Sequence, residues 1–397
     1  MTASSMSTWP AQRGTRSAIA AQFGDERADL LGWALHTGDD LADAVVEAMH
    51  HDGVTVRAQL NQGMTAGLAS LDDPSPAIVA FLTHAETVPG WVDRAQLESG
   101  PQPWFTTPLP IHLIAQSAGS LVRVYASPSI GRVLALSGRL VEGASSRIQE
   151  TGRWLAQSMA PGALCVGRPG YVATLQVRML HAHMRRLARR KDFDQAANGT
   201  PINQVDLART WMDFTRTSFM AEAEMGFAMT VGETAEMYRL WWYLGHLLGI
   251  DERLSFGVKN NEEAGRIDDM LQAVTAPPEP VSVTLVAATL RAVSDDFQQA
   301  MHVPSNQAMQ VLETLTRRFH GDALANELEI PRHGFTDAIL DPMIRLQRDS
   351  REKVRRNRTK WDAAIAKAVA HYPQDLADLP DRTTFTAVAA APISGTD

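Results

Sequence analysis

The segment YVATLQVRMLHAHMRRLARR, which spans Tyr171–Arg190, carries the pattern that decides the fold. Apolar side chains recur around much of its circumference at helical spacing, which is typical of a helix buried inside a protein. His181 and His183 lie in its middle. Each residue turns a helix by about 100°, so side chains two residues apart point about 200° apart. Only one of the two histidines is therefore able to bind a given metal ion from this helix.

His181 shares its face with two apolar residues, Val177 and Met184, and with two basic ones, Arg178 and Arg185. A neutral imidazole between apolar neighbours suits the proximal ligand of a haem, and nearby arginines suit its propionates. A hydrogen-bonded core histidine is the commoner explanation for a lone histidine on a helix. The spacing alone leaves both interpretations open.

A polar trio lies on a second, otherwise largely apolar helix. Arg147, Glu150 and Thr151 stand at positions i, i+3 and i+4, which share one helix face. We interpret this face as a pocket wall on which Arg147 and Thr151 polarise bound oxygen and Glu150 moves protons. The alternative, an Arg–Glu pair on a solvated face, has equal weight.

Composition narrows the class of protein. The chain has 397 residues and a net charge of −8, which makes it a poor candidate for binding nucleic acid. Its one cysteine, Cys165, excludes an internal disulfide framework and fits a reducing compartment; we expect a small buried thiol there. We find no leader-peptide pattern and no apolar run of about 20 residues, so the prediction is a cytoplasmic protein without a membrane span.

The usual signatures of several enzyme classes are missing. The sequence contains no GxGxxG, GxxxxGK[ST], HExxH, CxxC or GxSxG string. Dinucleotide binding, phosphoryl transfer, zinc peptidase chemistry, covalent haem attachment and the α/β-hydrolase triad therefore lose their usual support.

Amphipathic helical patterns recur along the whole chain, which predicts an all-α protein. We expect one domain over residues 1–397, with a core at 111–254, an N-terminal region at 1–110 and C-terminal helices at 282–372 after the proline-rich segment APPEPV (276–281). In the N-terminal region the pattern predicts breaks at Gly63, Gly67 and residues 72–76. The core and C-terminal helices are predicted near 111–125, 129–160, 171–190, 204–226, 231–249, 259–274, 282–302, 305–319, 322–329, 333–348 and 350–372. A capping box, Thr230-Val-Gly-Glu233, opens the helix that ends at Gly249.

Four strings occur in a recognisable order: RIQETGRWL from Arg147, RMLHAHMRR from Arg178, TPINQVDLARTW from Thr200 and TVGETAEMYRLWWYLGHLLGI from Thr230. Together they resemble the family of bacterial latex-clearing proteins, or rubber oxygenases, and the fungal ER-bound oxygenase of mycophenolic-acid biosynthesis. The resemblance covers roughly residues 147–254.

The resemblance implies a globin-like helical core, enlarged by extra helices, that holds haem b. It makes His181 the proximal iron ligand, with His183 as the alternative, and Arg147 and Thr151 distal residues. Latex-clearing proteins carry a lysine where this chain has Glu150, so a resting state closed by lysine is not expected and rubber cleavage is the less favoured activity.

The sequence thus predicts a haem b-dependent oxygenase that uses O₂ or peroxide on an apolar small molecule, such as an isoprenoid or a secondary metabolite. A non-catalytic haem-binding or sensing protein and a haem-free helical scaffold are the alternatives. His246 is either a neighbour of the site or a boundary residue, Arg168 either meets a propionate or caps a loop, and the basic run Arg348–Arg358 is a solvated face or a dimer edge. The oligomeric state stays open.

Overall fold

The fold was analysed in a computed structural model, which describes residues 8–136, 143–301 and 304–379. Within these ranges every regular element is a helix, so the all-α prediction is confirmed. None of the helices described there is long and apolar enough to cross a lipid bilayer.

Six helices form the N-terminal region: α1 Arg16–Phe23, α2 Asp25–His36, α3 Asp40–His51, α4 Gly53–Ala66, α5 Pro76–Glu86 and α6 Arg94–Ser99. The helix α4 ends at Gly67 as predicted, but it runs through Gly63 without a break. A Cβ atom on Gly63 would lie 2.3 Å from Leu82 Cδ1, so this glycine permits close packing of α4 on α5. The prediction of a break at Gly63 is therefore wrong.

Ten helices form the central region: α7 Leu109–Ile114, α8 Val122–Tyr125, α9 Pro128–Leu136, α10 Ala144–Met159, α11 Pro169–Arg190, α12 Gln195–Asn198, α13 Gln204–Met212, α14 Ser218–Glu224, α15 Val231–Leu247 and α16 Asn261–Gln272. The predicted helix 129–160 corresponds to α9 and α10, and residues 137–142 between them lie outside the described part. Both hydrogen bonds of the capping box at Thr230 and Glu233 are present at the start of α15.

Two π-helical turns interrupt the long central helices. Ala115–Leu121 joins α7 to α8, and Asp213–Thr217 joins α13 to α14. The two turns pack against each other, and Ser120 Oγ donates to the backbone oxygen of Asp213 at 2.6 Å. A wider turn shifts the register of every later side chain on its helix, and such turns are frequent at functional sites.

Four long helices complete the chain: α17 Pro280–Met301, α18 Ser305–Glu327, α19 Gly334–Arg355 and α20 Arg358–Ala377. The predicted boundary at 319–322 appears as a kink in α18 at Gly321, whose φ is +76°. Tyr372 on α20 accepts a hydrogen bond from Trp104 Nε1 and donates one to the backbone oxygen of Ala156, both at 2.9 Å. One cluster of buried apolar side chains includes members of all three regions. The single-domain assignment itself stays a prediction.

Candidate functional site

An apolar cavity lies in the central region, between α8, α9, α10, α11, α13 and α15. The cavity has a volume of about 250 Å³. This is close to the lower end of the range of about 300–1,000 Å³ that is usual for small-molecule pockets in proteins. Its apolar walls are formed by Leu121, Val124, Ile130, Val133, Leu134, Trp154, Val177, Leu180, Met184, Ile202, Leu207, Trp211, Phe214, Trp241, Leu248 and Ile250.

His181 lies on the α11 wall of this cavity, beside Val177 and Met184. Its Nδ1 atom is buried and has no hydrogen-bond partner among the described residues. Burial, with a smaller repulsion from Arg185, lowers the pKa of His181 to about 4, so the imidazole is neutral at physiological pH. A neutral imidazole whose Nδ1 has no hydrogen-bond partner is not a fully satisfied core histidine. The assignment of His181 as an iron ligand stays a prediction.

The trio on α10 lines the same cavity. Arg147, Glu150 and Thr151 all belong to its wall, and Glu150 is buried, with 5% of its surface exposed. Thr151 Oγ1 donates to the backbone oxygen of Arg147 at 2.7 Å, so the threonine hydroxyl offers the cavity an acceptor. The structure thus brings these three residues and His181 to one cavity.

Three polar wall residues were not predicted from the sequence: Tyr125, Asp206 and Thr210. Burial raises the pKa of the Tyr125 phenol, which is hydrogen-bonded to the Arg147 guanidinium. Tyr125 therefore connects α8 to the polar trio on α10. No spacing rule relates a residue of one helix to the trio of another, so no local pattern predicts this contact.

The Asp206 carboxylate is neutralised from outside the cavity. Arg13, near the N-terminus, donates to both of its oxygens at 2.8 and 2.9 Å, and both side chains are almost fully buried. Ser129 Oγ and Asn203 Nδ2 also donate to this carboxylate, at 3.2 and 3.1 Å. The N-cap of α13, where Asn203 accepts from the Asp206 backbone N–H, was the available sequence signal for this position.

Arg178 and Arg185 do not line the cavity, and the expectation that they meet haem propionates stays a prediction. Arg178 forms a two-pronged ion pair with Asp39 at the start of α3, with distances of 2.6 and 2.9 Å. Arg185 pairs with Asp43 on α3 at 2.8 Å. Both arginines face α3 because that helix packs along this side of α11.

Arg185 nevertheless supports the cavity wall through the backbone. Its guanidinium donates to the backbone oxygen of Ile202 at 2.8 Å. Ile202 lines the cavity and has a φ of +51°, which is a strained conformation for a β-branched residue. The ion pair and this hydrogen bond together hold a wall residue that would otherwise relax.

The remaining candidates lie away from the cavity. His183 is not a wall residue, and burial lowers its pKa to about 4. His246 stacks on His84 with ring centroids 4.3 Å apart, which makes it a boundary histidine. Arg168 is the N-cap of α11 and is exposed. Cys165, expected to be buried, is half-buried and lies outside the cavity.

The comparison with protein families decides the class of this chain. Residues 108–348 match the family model described as the catalytic domain of ER-bound oxygenase mpaB/B′ and rubber oxygenase. The chain belongs to this oxygenase family. The match includes every wall of the cavity and extends well beyond residues 147–254, to which the four strings pointed.

Two proteins illustrate the likeness. The rubber oxygenase of Streptomyces sp. (strain K30) is 26% identical over 221 residues, which are 54% of this chain and 53% of that protein. The match therefore spans about half the length of that relative. A structure of the latex clearing protein LCP in the closed state superposes with a TM-score of 0.65 at 18% identity, covering 85% of this chain and 91% of that one. At this identity the superposition shows a shared fold.

Proposed function

We propose that this member of the oxygenase family holds haem b in the central cavity, where His181 would bind the iron, and that it oxidises an apolar small molecule. The observation that carries the proposal is the buried Nδ1 of His181, which finds no partner although its side chain borders an apolar cavity. O₂ or peroxide would be the oxidant.

Two features support the fit of haem to these residues. Flat aromatic side chains, among them Trp154 and Trp241, form part of the walls. The depressed pKa of His181 keeps its lone pair available at neutral pH, as iron ligation requires. When bound, the haem supplies the redox chemistry that no protein side chain offers.

The residues of α10 give their wall of the cavity its chemistry. Arg147 is the only basic side chain on the described cavity wall, and its positive charge would stabilise negative charge that develops on oxygen in the cavity. Tyr125 holds Arg147 in position. Glu150 receives or returns a proton, and Thr151 accepts a hydrogen bond, because its own hydroxyl proton is bound to the helix backbone.

The walls also indicate the kind of substrate. Apolar side chains predominate, and the carboxylate of Asp206 is neutralised by Arg13. An ionic substrate would find few partners here and would lose its hydration, so an isoprenoid or another apolar metabolite fits best. Glu150 stands where latex-clearing proteins have a lysine, and a carboxylate is a weak axial ligand for iron, so we expect the distal side to stay accessible.

A haemin titration tests the ligand assignment. The wild-type protein should bind haemin with one-to-one stoichiometry and develop a Soret band. His181→Ala should lose this band, and added imidazole should restore it by filling the space left by the side chain. His183→Ala, on the same helix but outside the cavity, is the matched control and should behave as wild type. A wild-type protein that ignores haemin, or a His183 variant that alone loses the band, overturns the proposal.

Anion binding tests the distal side independently of any substrate. Arg147→Leu should keep the Soret band but bind azide about 10- to 100-fold more weakly, because hydrogen bonds to charged groups contribute about 1.5–3 kcal/mol. Arg153→Leu, on the same helix and away from the cavity, should leave the azide affinity unchanged. Equal azide affinities in all three proteins would remove Arg147 from the distal side.

A further inference from the structure

The helix α19 presents an apolar stripe to the outside of the molecule. Phe335, Ile339, Met343 and Leu346 have exposed fractions of 80%, 45%, 61% and 72%. Their spacing of four, four and three residues places them on one helix face, over a length of about 16 Å at 1.5 Å per residue. We call these four residues the α19 stripe. Contiguous exposed apolar surface of this kind marks an interaction site.

The opposite face of α19 is already occupied by the body of the protein. The backbone at Ile344 and Arg348 approaches Gly226, and Arg351, the buried residue of this helix, donates to the backbone oxygen of Thr106. The orientation of α19 is therefore fixed by its inner contacts. The four side chains of the stripe therefore point away from the body of the protein and form a ridge on its surface.

Positive charge lies beside the C-terminal part of the stripe and continues into the start of α20. Arg345, Lys353, Arg356 and Lys360 are exposed, and none of them forms an ion pair within the described ranges 8–136, 143–301 and 304–379. Of the acidic side chains nearby, Asp337 and Asp341 pair with Arg318 and Glu352 pairs with Arg355, whereas Asp349 is exposed and forms no ion pair within the described ranges.

This surface therefore concentrates free cations on a protein whose net charge is −8. For the basic run Arg348–Arg358, an anionic binding partner is therefore a more specific interpretation than a solvated face.

We propose that the α19 stripe docks on the surface of an anionic lipid membrane. An apolar ridge flanked by basic side chains is the arrangement of helices that lie in the plane of a membrane, with apolar side chains at the acyl boundary and cations on the lipid phosphates. The stripe runs along the helix axis, so its four apolar side chains are able to enter a flat surface together.

A second copy of this chain is a poorer occupant. A twofold contact places the same patch on both subunits, so it would bring the unpaired cations of two α19 helices face to face. An anionic surface removes this repulsion and supplies counter-charges to the same side chains. Docking of this kind is independent of the haem site and would bring the enzyme to the phase in which apolar compounds dissolve.

Vesicle co-sedimentation of the full chain tests the proposal. We expect binding to phosphatidylcholine vesicles that contain about 30% phosphatidylserine, little binding to phosphatidylcholine alone, and weaker binding as salt is raised. Arg345→Gln/Lys353→Gln/Arg356→Gln should lower the partition coefficient about 100-fold, at about fivefold per basic residue. Met343→Ser/Leu346→Ser should lower it at least tenfold.

A matched control removes exposed apolar side chains elsewhere. Val54 and Val231 are 85% and 77% exposed and lie outside α19, so Val54→Ser/Val231→Ser should bind vesicles as wild type does. The haemin spectrum and thermal unfolding of all variants should match wild type, which separates this proposal from that of the haem site. Three results would each overturn the proposal. The first is that the wild-type protein fails to bind anionic vesicles. The second is that the triple basic variant and Met343→Ser/Leu346→Ser bind them as well as wild type does, and the third is a dimer in solution that Met343→Ser/Leu346→Ser dissociates.

Discussion

Replacing Arg178 by methionine should destabilise the protein without affecting the proposed haem site. Arg178 and Asp39 are 2% and 6% exposed, and two hydrogen bonds of 2.6 and 2.9 Å join them. Burial on its own would raise the pKa of Asp39, but the attraction and hydrogen bonds of Arg178 outweigh it and hold that pKa below its ordinary value. Without the arginine, Asp39 is a buried carboxylate that has lost its ion-pair partner and keeps only the attraction of Arg185, with which it forms no ion pair.

The expected loss follows from this desolvated charge. Breaking a buried pair by removing one partner costs about 3–5 kcal/mol. Arg178 also lies over the ring of Phe81, 5.0 Å from its centroid, a cation–π contact that contributes about 1 kcal/mol. Stabilities of folded domains are about 5–15 kcal/mol, so Arg178→Met removes a large share of the free energy of unfolding.

A second substitution identifies the cause. Asp39→Asn removes the buried charge and keeps the N-cap of α3, where Asp39 now accepts from the Ala42 backbone N–H at 3.3 Å. The double variant Arg178→Met/Asp39→Asn should therefore recover most of the stability. Arg253→Met is the matched control, because its pair with Asp251 is half-exposed and such pairs contribute about 0–1 kcal/mol.

Urea unfolding of the haem-free proteins, followed by circular dichroism, measures the free energies, and haemin titration of the folded variants measures cofactor affinity. We expect Arg178→Met to bind haemin within about twofold of wild type, since its side chain does not border the cavity. An unchanged free energy of unfolding together with a tenfold loss of haemin affinity would refute this reasoning and would support Arg178 as a partner of the haem propionates.

Two further predictions concern the same protein interior. Gly249 has a φ of +74°, and a Cβ there would lie 2.5 Å from the Asp39 carboxylate. Gly257 is the control, because a Cβ there would have no atom within 4 Å, and Gly257→Ala should cost only the roughly 1 kcal/mol expected from backbone strain. Gly249→Ala should lower the free energy of unfolding by clearly more than that, and equal melting temperatures of the two variants would contradict this. Burial lowers the pKa of His320 to about 4. As the pH drops below about 6.5, this histidine therefore takes up a proton in the unfolded state before it does so in the folded state. The free energy of unfolding should fall by at most about 3 kcal/mol between pH 6.5 and pH 4. His320→Gln, whose amide is able to keep the bond to the Ala118 backbone oxygen, should remove this share of the pH dependence in urea titrations at several pH values, and an unaltered slope would count against it.

The local periodicity of the chain was sufficient to predict the facing of side chains within a helix. The i, i+3, i+4 rule placed Arg147, Glu150 and Thr151 on one face, and the structure puts that face on the cavity. The same rule separated His181 from His183, and only His181 reaches the wall. Helix geometry is a property of the backbone, so it survives folding unchanged.

The same helical periodicity does not predict which helices contact each other. Arg178 and Arg185 point about 60° and 40° away from His181 around α11, so the sequence pattern places all three residues on one helix face. The packing of α3 along that side decides that they meet Asp39 and Asp43 instead, about 140 residues earlier in the chain. Electrostatic attraction between buried charges then fixes the pairs, and no local pattern encodes which helices become neighbours.

The sequence by itself thus determined an all-helical protein, the helix that carries His181 and the polar trio on a second helix, because helical periodicity and capping act over a few residues. Only the tertiary structure decided the π-helical turns, the strained backbone at Ile202 and the partner of Asp206. These features arise where distant segments compete for one space, and the ion pairs and packing that result depend on the position of the whole chain.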